Sequence, residues 1–522
     1  MRLKNLYRNH KKITLFFVLF LMFAVSYSNA DKKFQNDSET LVTGVMLADR
    51  YGISPDVYGM GHYIDIMGVY NSYEKKEAVS GIGVQDGYMV SDCGIVVEEN
   101  AYTGMIFKKA AAMKFPRGQL LKIRDKEKSG KYYLFYLDNG DILSEKQAGH
   151  IKDVCFINDD GDILPAGILG TYGSQYGLPG KVFAAISHII PDTMFNFDKC
   201  RGFFNVLCGL ISASVFITIG YYVGIKYNNW LLAIAFWLTF MASTWVRDFA
   251  INLYWVEFTW FMPMLIGLYC SVRGRKWKIR WLCYFLSFFA LLIKSLSGYE
   301  YLSTIMIAFV MFPLTDAIIA WRRKEYSLSK HAAYMVAGLG LMGLLGFGTA
   351  FAMHAYARGQ GDIAAGVESI YRHDVLRRTW AGNAKGEFSE VYQDSFNAGL
   401  LDMVKSYYLL WNRDVLWGIP GRLFPIISLV PLIIYLQCRK KKRKLPFPDE
   451  IMLLYVISFV ATFSWYALAK SHSYIHTHMN YVLWYFGFVQ ICVYVLLMYL
   501  RRYIVSHRTE LVRTVDRFLS AI

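Results

Sequence analysis

Apolar runs of about 20 residues recur along this chain of 522 residues, and they constrain its fold more than any other feature. A helix of that length spans the hydrocarbon core of a bilayer. A soluble chain this long usually divides into several domains, but here the hydrophobic residues, 55% of the sequence, gather into these runs. We therefore predict an all-α polytopic membrane bundle with about ten transmembrane helices. The predicted spans are residues 13–30, 203–225, 229–246, 251–272, 281–297, 301–320, 332–355, 423–437, 451–469 and 480–500.

The basic residues behind the net charge of +16 predict how the chain is oriented. They lie directly beside the apolar runs at alternate junctions, which is typical of the cytoplasmic side and of contact with anionic lipids. This distribution argues against nucleic acid as a partner. Both termini then lie inside, with residues 501–522 as a cytoplasmic tail. The basic junctions are Arg2 to Lys12, Arg273 to Arg280, Arg322 to Lys324, Arg439 to Lys444, and Arg501 with Arg502.

Two long polar segments are predicted on the outer side, residues 31–202 and 356–422. Spans two to seven lie between them in residues 203–355, and spans eight to ten occupy residues 423–500. The first span, within residues 1–30, also has the basic start, apolar centre and small-residue end of a cleavable signal peptide. Either interpretation places the residues that follow it outside.

The first outer segment is predicted to contain a helix over residues 36–52 and a small β insertion over about 86–165. Leu41, Val45 and Ala48 share one stripe of the helix. Asp-Asn-Gly-Asp at 138–141 and Asp-Asp-Gly-Asp at 159–162 follow strand-like runs and predict hairpin turns. The second faintly resembles a calcium loop but lacks the terminal Glu, so a turn is the simpler interpretation. The eight cysteines define no disulfide framework and no CxxC metal motif.

The first candidate site is the acidic motif Asn36-Asp37-Ser38-Glu39, which follows the first span at once. Two carboxylates at a membrane exit suit a base or a metal ligand that acts on a substrate held at the membrane surface. We take Asp37 and Glu39 as catalytic candidates. The alternative for Asp37 is a structural role as the N-cap of the helix.

Three further polar clusters fall at predicted outer junctions, and charges at such depth usually face a cavity or a partner. Four clusters on one side of the membrane predict a shared site. Structural alternatives remain for each: ion pairing of Arg247 with Asp248 or Glu257, and snorkelling of Lys294. The substrate-binding candidates are Arg247, Asp248, Tyr254, Trp255, Lys294, Glu300, Lys470, His476 and His478.

Two groups of these outer residues allow a second interpretation. His476 and His478, two residues apart, suit a metal site if the segment is extended, or contact with phosphate. In the second outer segment, Arg372, Arg377 and Arg378 suit anionic lipid or a pyrophosphate, although a solvated helix face is simpler.

Together these residues resemble the GT-C superfamily of integral-membrane glycosyltransferases. Asn36-Asp37-Ser38-Glu39 matches the acidic motif that follows the first span in that family. The Arg247-Asp248, Lys294 to Glu300 and Lys470 to His478 segments are similar to those of bacterial members. The β insertion is not a general family feature, and a Trp-Trp-Asp acceptor motif is absent from the sequence.

The resemblance implies an inverting transfer of sugar from a polyprenyl-phosphate donor to a glycan, lipid or protein acceptor at the outer face of a bacterial inner membrane. Asp37 would act as base or orienter, and Glu39 would position it or share a divalent metal with it. Cationic side chains would stabilise the leaving phosphate. Two alternatives stay open: a polysaccharide polymerase or ligase that relies on residues 356–422, and a lipid-linked glycan transporter.

Overall fold

The computed structural model describes residues 2–35, 38–50, 58–65, 167–190, 196–379, 390–410, 414–416, 418–477 and 479–520, together with strands between residues 83 and 164. For residues 2–12, 63–168, 390, 391, 410 and 506–520 it describes the backbone alone. The chain forms two units, which are described separately. The helical unit comprises residues 1–35, 174–176 and 197–522, and the mixed unit comprises residues 36–173 and 177–196.

The helical unit is a multi-pass membrane bundle. Six of its described helices are long and apolar enough to cross a bilayer, and a seventh span is possible if the helix pair 230–242 and 244–250, bent by 70°, counts as one. Ten spans were predicted. Three of the other predicted spans contain shorter helices: Ile13–Ser28, Phe258–Arg273 and Phe424–Lys440.

The helices of this unit are α1 (Arg2–Ser28), α4 (Phe197–Tyr227), α5 (Trp230–Ala242), α6 (Thr244–Ala250), α7 (Phe258–Arg273), α8 (Trp277–Ser297), α9 (Leu302–Arg322), α10 (Tyr326–Arg358), α11 (Ile363–Ile370), α12 (Leu376–Arg378), α13 (Glu390–Asn397), α14 (Leu400–Lys405), α15 (Phe424–Lys440), α16 (Asp449–Leu468), α17 (Lys470–Ile475) and α18 (Phe488–Ser520). Tyr371–Val375 and Ser406–Leu410 are π-helical, and Asn480–Tyr485 forms a 3₁₀ turn. A short hairpin joins Asp414–Leu416 to Ile419–Pro420.

Two of the predicted spans differ from the helices observed, and local hydrogen bonds explain both differences. The span predicted at 229–246 breaks because the Ser243 hydroxyl caps a new helix by accepting from Val246 N. The span predicted at 251–272 begins only at Phe258. There the Asn252 side chain accepts from the backbone N–H groups of Tyr254 and Trp255, a turn that competes with the helix.

Aromatic rings fill the middle of the helical unit. Phe216 of α4 stacks on Phe240 of α5 with ring centroids 4.2 Å apart, and Phe261 of α7 stacks on Phe486 at the same distance. Helices α7 and α9 approach so closely at Gly267 that a Cβ there would lie 1.8 Å from the carbonyl oxygen of Phe309. This tight packing fixes the positions of the helix ends that carry the polar residues.

Among its described residues, the mixed unit contains α2 (Glu39–Arg50), α3 (Leu178–Ser187) and twelve strands. Helix α2 packs on α3 and on a two-stranded antiparallel sheet of β1 (Met60–Asp65) and β12 (Gly167–Tyr172). The predicted stripe is confirmed, since Leu41, Val45 and Ala48 are all buried. The remaining strands are β2 (Gly83–Gln85), β3 (Tyr88–Val90), β4 (Cys93–Glu98), β5 (Ala101–Phe107), β6 (Met113–Lys114), β7 (Leu120–Asp125), β8 (Tyr132–Tyr136), β9 (Leu143–Ser144), β10 (Ile151–Ile157) and β11 (Ile163–Leu164).

These ten strands pair antiparallel in three small sheets, in the orders β2-β3-β6, β4-β5-β9 and β11-β10-β7-β8. The predicted turns at 138–141 and 159–162 lie outside the described residues. At the start of α3, Gly177 has a φ of 79°, and a Cβ there would lie 2.2 Å from the Gly59 carbonyl oxygen. Only glycine fits this crossing of two backbone segments.

Candidate functional site

The polar residues of the helical unit gather at the end of the bundle opposite the basic junctions. Helix α8 starts beside the basic residues 273–280 and ends at Ser297, and α9 returns to Arg322. The α8–α9 turn and the C-terminal end of α10 therefore lie at the opposite end. This is the end that the positive-inside rule predicts to face outward.

Asp374 is the centre of a buried charge network at that end. Its carboxylate, 2% exposed, accepts hydrogen bonds from three guanidinium groups. Arg358, at the end of α10, is the closest donor. Arg377 and Arg378 donate to the other carboxylate oxygen over 3.4 and 3.5 Å. Arg377 and Arg378 follow Asp374 by three and four residues, a spacing that places their side chains beside its carboxylate on one helical face.

The network continues into the α8–α9 turn. The Arg378 guanidinium lies 3.6 Å from the Glu300 carboxylate, and Glu300 in turn faces the ammonium group of Lys294. Lys294 is 1% exposed and donates to the Gly298 carbonyl oxygen over 2.6 Å, so it does not snorkel. The six charged residues are called the Asp374 cluster: Lys294, Glu300, Arg358, Asp374, Arg377 and Arg378.

Cations predominate in the Asp374 cluster. Among its six residues, four cations lie beside two carboxylates, and the most exposed side chain, that of Arg377, is only 26% exposed. Buried charge is costly unless it is compensated. An anion with several oxygens, such as a phosphate or a pyrophosphate, would match the forked guanidinium donors.

Gln175 places an amide beside this cluster. It is fully buried, and neither its amide nitrogen nor its oxygen has a hydrogen-bond partner among the described residues. A Cβ at Gly298 would lie 2.5 Å from the Gln175 oxygen and 2.4 Å from a Glu300 oxygen. Gly298 therefore allows these two side chains to meet over the turn. Ser174, next in the chain, accepts from Arg377 over 3.1 Å.

Tyr299 supplies a neutral hydroxyl at the same place. Burial raises the pKa of its phenol, and the cations Arg378 and Arg358 only partly oppose this effect. The hydroxyl lies 3.1 Å from Nδ1 of His354, and the two rings stack. Tyr299 thus stays protonated and able to donate.

Asp248 and Asn252 hold the segment that leads to the acidic motif. The Asp248 carboxylate accepts from Lys32 N over 3.0 Å, and the Asn252 amide donates to the Phe34 carbonyl oxygen over 3.2 Å. The structure thus gives Asp248 a positioning role for the chain just before residue 36. Asn36 and Asp37 themselves lie outside the described residues.

Arg247 does not form the predicted structural pair. Among the residues that the structure describes, it has no ion pair with Asp248 or Glu257, and its buried Nε has no hydrogen-bond partner. The Tyr27 phenol faces both Arg247 and Glu257. Glu257 is fully buried in the non-helical segment before α7, and burial, together with the Asp248 carboxylate, raises the pKa of its carboxyl.

Lys470–Ile475 forms a short helix and not an extended strand. Lys470 is 3% exposed and donates to the carbonyl oxygens of Phe396 and Ala398 over 3.1 and 2.5 Å. His476 lies at the end of the helix, 4.3 Å from the ring of His472. His478 lies outside the described residues.

A row of aromatic rings connects three of the predicted clusters. Trp255 stacks on Tyr301 with centroids 6.1 Å apart, Tyr301 meets Trp465 at 5.5 Å, and Trp465 meets His472 at 5.7 Å. Tyr254 packs edge-on against Trp255. The segments that precede α7, follow α8 and follow α16 therefore meet inside the helical unit.

Glu39 belongs to the mixed unit. It lies in the first turn of α2 with 1% of its surface exposed, where the helix dipole favours a carboxylate. Three residues of the helical unit were absent from the sequence-derived candidates: Arg358, Asp374 and Gln175. Arg358 and Asp374 are 16 positions apart, and Gln175 is far from both, so no local motif marks them.

In the part of the chain that the structure describes, no group of three or more His, Cys, Asp or Glu side chains is arranged to hold a metal ion. No family model, curated protein or solved structure matches the chain.

Proposed function

We propose that this protein is a membrane glycosyltransferase that takes its sugar from a polyprenyl-phosphate donor. The observation that carries the proposal is the grouping of four cations, all at most 26% exposed, in the Asp374 cluster at the end of the bundle predicted to face outward. A lipid-linked phosphate delivers an anion to that end of the bundle. The resemblance of the acidic motif adds Asp37 as the base for the acceptor hydroxyl.

The chemistry needs these two groups in separate roles. The acceptor oxygen attacks the anomeric carbon, the bond between that carbon and the phosphate oxygen breaks, and the lipid phosphate leaves with the electron pair. Asp37 receives the acceptor proton. Arg378, Arg358 and Lys294 stabilise the leaving oxygen through preorganised positive charge. A lipid phosphate needs no proton to leave, so no acid is required.

The test is mass-spectrometric profiling of envelope glycans and polyprenyl-linked sugars in cells of the source bacterium. Cells lacking the protein are compared with cells that carry the wild type, Asp37→Asn or Arg378→Gln. We expect one glycan modification to disappear in both variants while its lipid-linked donor accumulates. Arg323→Gln is the matched control, because Arg323 pairs with Glu450 at the opposite end of the bundle. A normal profile in a membrane-inserted Asp37→Asn strain would refute the role of Asp37.

The polymerase or ligase alternative is favoured by one observation. Arg377 and Arg378 come from the second outer segment, on which that class of enzyme relies. Under this alternative, Arg377→Gln abolishes activity while Asp37→Asn does not. Arg372 is a weaker probe, since it is 57% exposed and pairs with Glu368 on the same helical face.

A further inference from the structure

A second group of buried polar atoms lies around Glu257; it shares no residue with the Asp374 cluster and adjoins it where Tyr301 follows Glu300. Seven side-chain atoms of six residues are buried there without a hydrogen-bond partner among the described residues. Native proteins leave few such atoms unpaired, and each one costs about 1–3 kcal/mol. These residues are called the Glu257 cluster: Tyr27, Arg247, Trp255, Glu257, Thr259 and Tyr301.

The members of the Glu257 cluster are connected. The Tyr27 phenol faces both Arg247 and Glu257. One short segment carries three of the members at every second position: Trp255, Glu257 and Thr259. Trp255 stacks on Tyr301 with an interplanar angle of 18°, and Trp260 closes this group with ring contacts of 5.7 Å to Trp255 and 5.1 Å to Tyr301.

The chemistry of the unpaired atoms indicates the class of ligand. Arg247 Nε and Trp255 Nε1 only donate, whereas the three hydroxyls and the protonated carboxyl group of Glu257 both donate and accept. An anion would require donors, and a metal ion would require acceptors. A neutral polyhydroxylated ring uses donors and acceptors together and presents C–H groups to aromatic faces.

We propose that the Glu257 cluster binds the sugar ring of the substrate, a subsite distinct from the Asp374 cluster. This inference rests on the proposed function for the assignment of the ring to a glycosyl substrate. Glu257 accepts hydrogen bonds from ring hydroxyls, the tyrosine hydroxyls complete the set, and Trp255 covers one face.

The test uses tyrosine hydroxyls, because removal of an unpaired buried hydroxyl and removal of a hydrogen-bonded one have opposite effects on the stability of the protein. Tyr27→Phe and Tyr301→Phe are expected to leave the unfolding midpoint of the sugar-free protein unchanged or raised. They should weaken sugar binding by about 3- to 10-fold. Tyr407→Phe is the matched control: Tyr407 is equally buried, and its hydroxyl donates to the Ser473 carbonyl oxygen over 2.5 Å. It should lower the midpoint and leave sugar affinity unchanged.

Binding is measured on the full-length protein in detergent as the ligand-dependent rise of the unfolding midpoint. One arm uses a panel of methyl glycosides of hexoses, pentoses and N-acetylhexosamines at high millimolar concentration. The other arm uses isoprenyl phosphates of short chain length that carry the same sugars. If the ring belongs to the donor, Tyr301→Phe weakens binding of the isoprenyl phosphate sugars. If it belongs to the acceptor, Tyr301→Phe weakens only the binding of the methyl glycosides.

Failure of this inference is distinguishable from failure of the proposed function. If no glycoside in either arm raises the wild-type midpoint, or if the Tyr27 and Tyr301 variants bind as the wild type does, the Glu257 cluster holds water only and the inference is overturned. If sugar binding depends on these tyrosines while Arg378→Gln leaves transfer intact, the subsite stands and the proposed role of the Asp374 cluster fails.

Discussion

Replacement of Asp374 by Asn should destabilise the protein far more than replacement of any exposed carboxylate. Asp374 is 2% exposed and is shared by three guanidinium groups, so its neutralisation takes one buried carboxylate from all three. Breaking a buried ion pair in this way costs about 3–5 kcal/mol. In a chain of this size, that corresponds to a fall of about 3–5 °C in the apparent unfolding midpoint.

Glu368→Gln is the matched control for this prediction. Glu368 also pairs with an arginine on the same stretch of chain, but its side chain is 60% exposed. An exposed pair at this spacing contributes about 0.3–0.5 kcal/mol, so the midpoint should hardly move.

The assay is the intrinsic fluorescence of the purified protein in detergent during a thermal ramp, with and without inorganic phosphate. Phosphate should raise the midpoint of Asp374→Asn more than that of the wild type, because the variant has the larger uncompensated charge. The double variant Asp374→Asn with Arg378→Gln should recover part of the loss. If Asp374→Asn and Glu368→Gln unfold at the same temperature, the buried-charge reasoning is wrong.

Three further predictions concern other parts of the helical unit. Gly267→Ala should separate α7 from α9, because its Cβ would lie 1.8 Å from the Phe309 carbonyl oxygen. We expect this variant to lose the peak of folded protein on size-exclusion chromatography. Gly340→Ala, which has open space around its Cβ, should elute as the wild type does. Lys470→Met leaves the Phe396 and Ala398 carbonyl oxygens without their donor. This should lower the free energy of unfolding by about 1.5–3 kcal/mol and make residues 390–398 susceptible to protease. Lys405→Met is the control, because Lys405 is exposed, and it should not change protease susceptibility. Burial raises the pKa of Glu257 in the folded protein, which therefore holds a proton that the unfolded chain loses above about pH 4.3. Between that pH and the raised pKa, the free energy of unfolding should fall by about 1.4 kcal/mol per pH unit. In Glu257→Gln this slope should vanish from the pH dependence of the unfolding midpoint, and an unchanged slope would contradict the assignment.

Hydropathy predicted the class of fold because a span of apolar residues has few alternatives in a bilayer. It could not predict where helices stop, since single side chains decide that. Ser243 ends one predicted span by capping the next helix, and Asn252 delays α7 by bonding to two backbone groups. Hydropathy averages over such residues.

Some of the candidate site residues that are clustered in sequence also meet in the structure. Trp255 and the turn from Lys294 to Glu300 do meet residues of the α16–α17 region through Tyr301. Asp374 and Arg358 were not predicted as site residues, because they are 16 positions apart and no local pattern signals that they meet. Lys470 was expected to contact substrate, yet its ammonium group is occupied by two backbone carbonyl oxygens.

The hydrogen bonds that hold residues 26–34 have a consequence for biosynthesis. Ser26, Lys32 and Phe34 bond to partners 215 to 218 positions later in the chain. At about 5–20 residues per second, the ribosome needs about 10–45 s to make those partners. During that interval residues 26–34 have none of these contacts, so this segment reaches its final position only after α6 has been made. The first outer segment therefore emerges before the contacts of residues 26–34 have formed, and chaperones or proteases at the membrane encounter the nascent chain in that state.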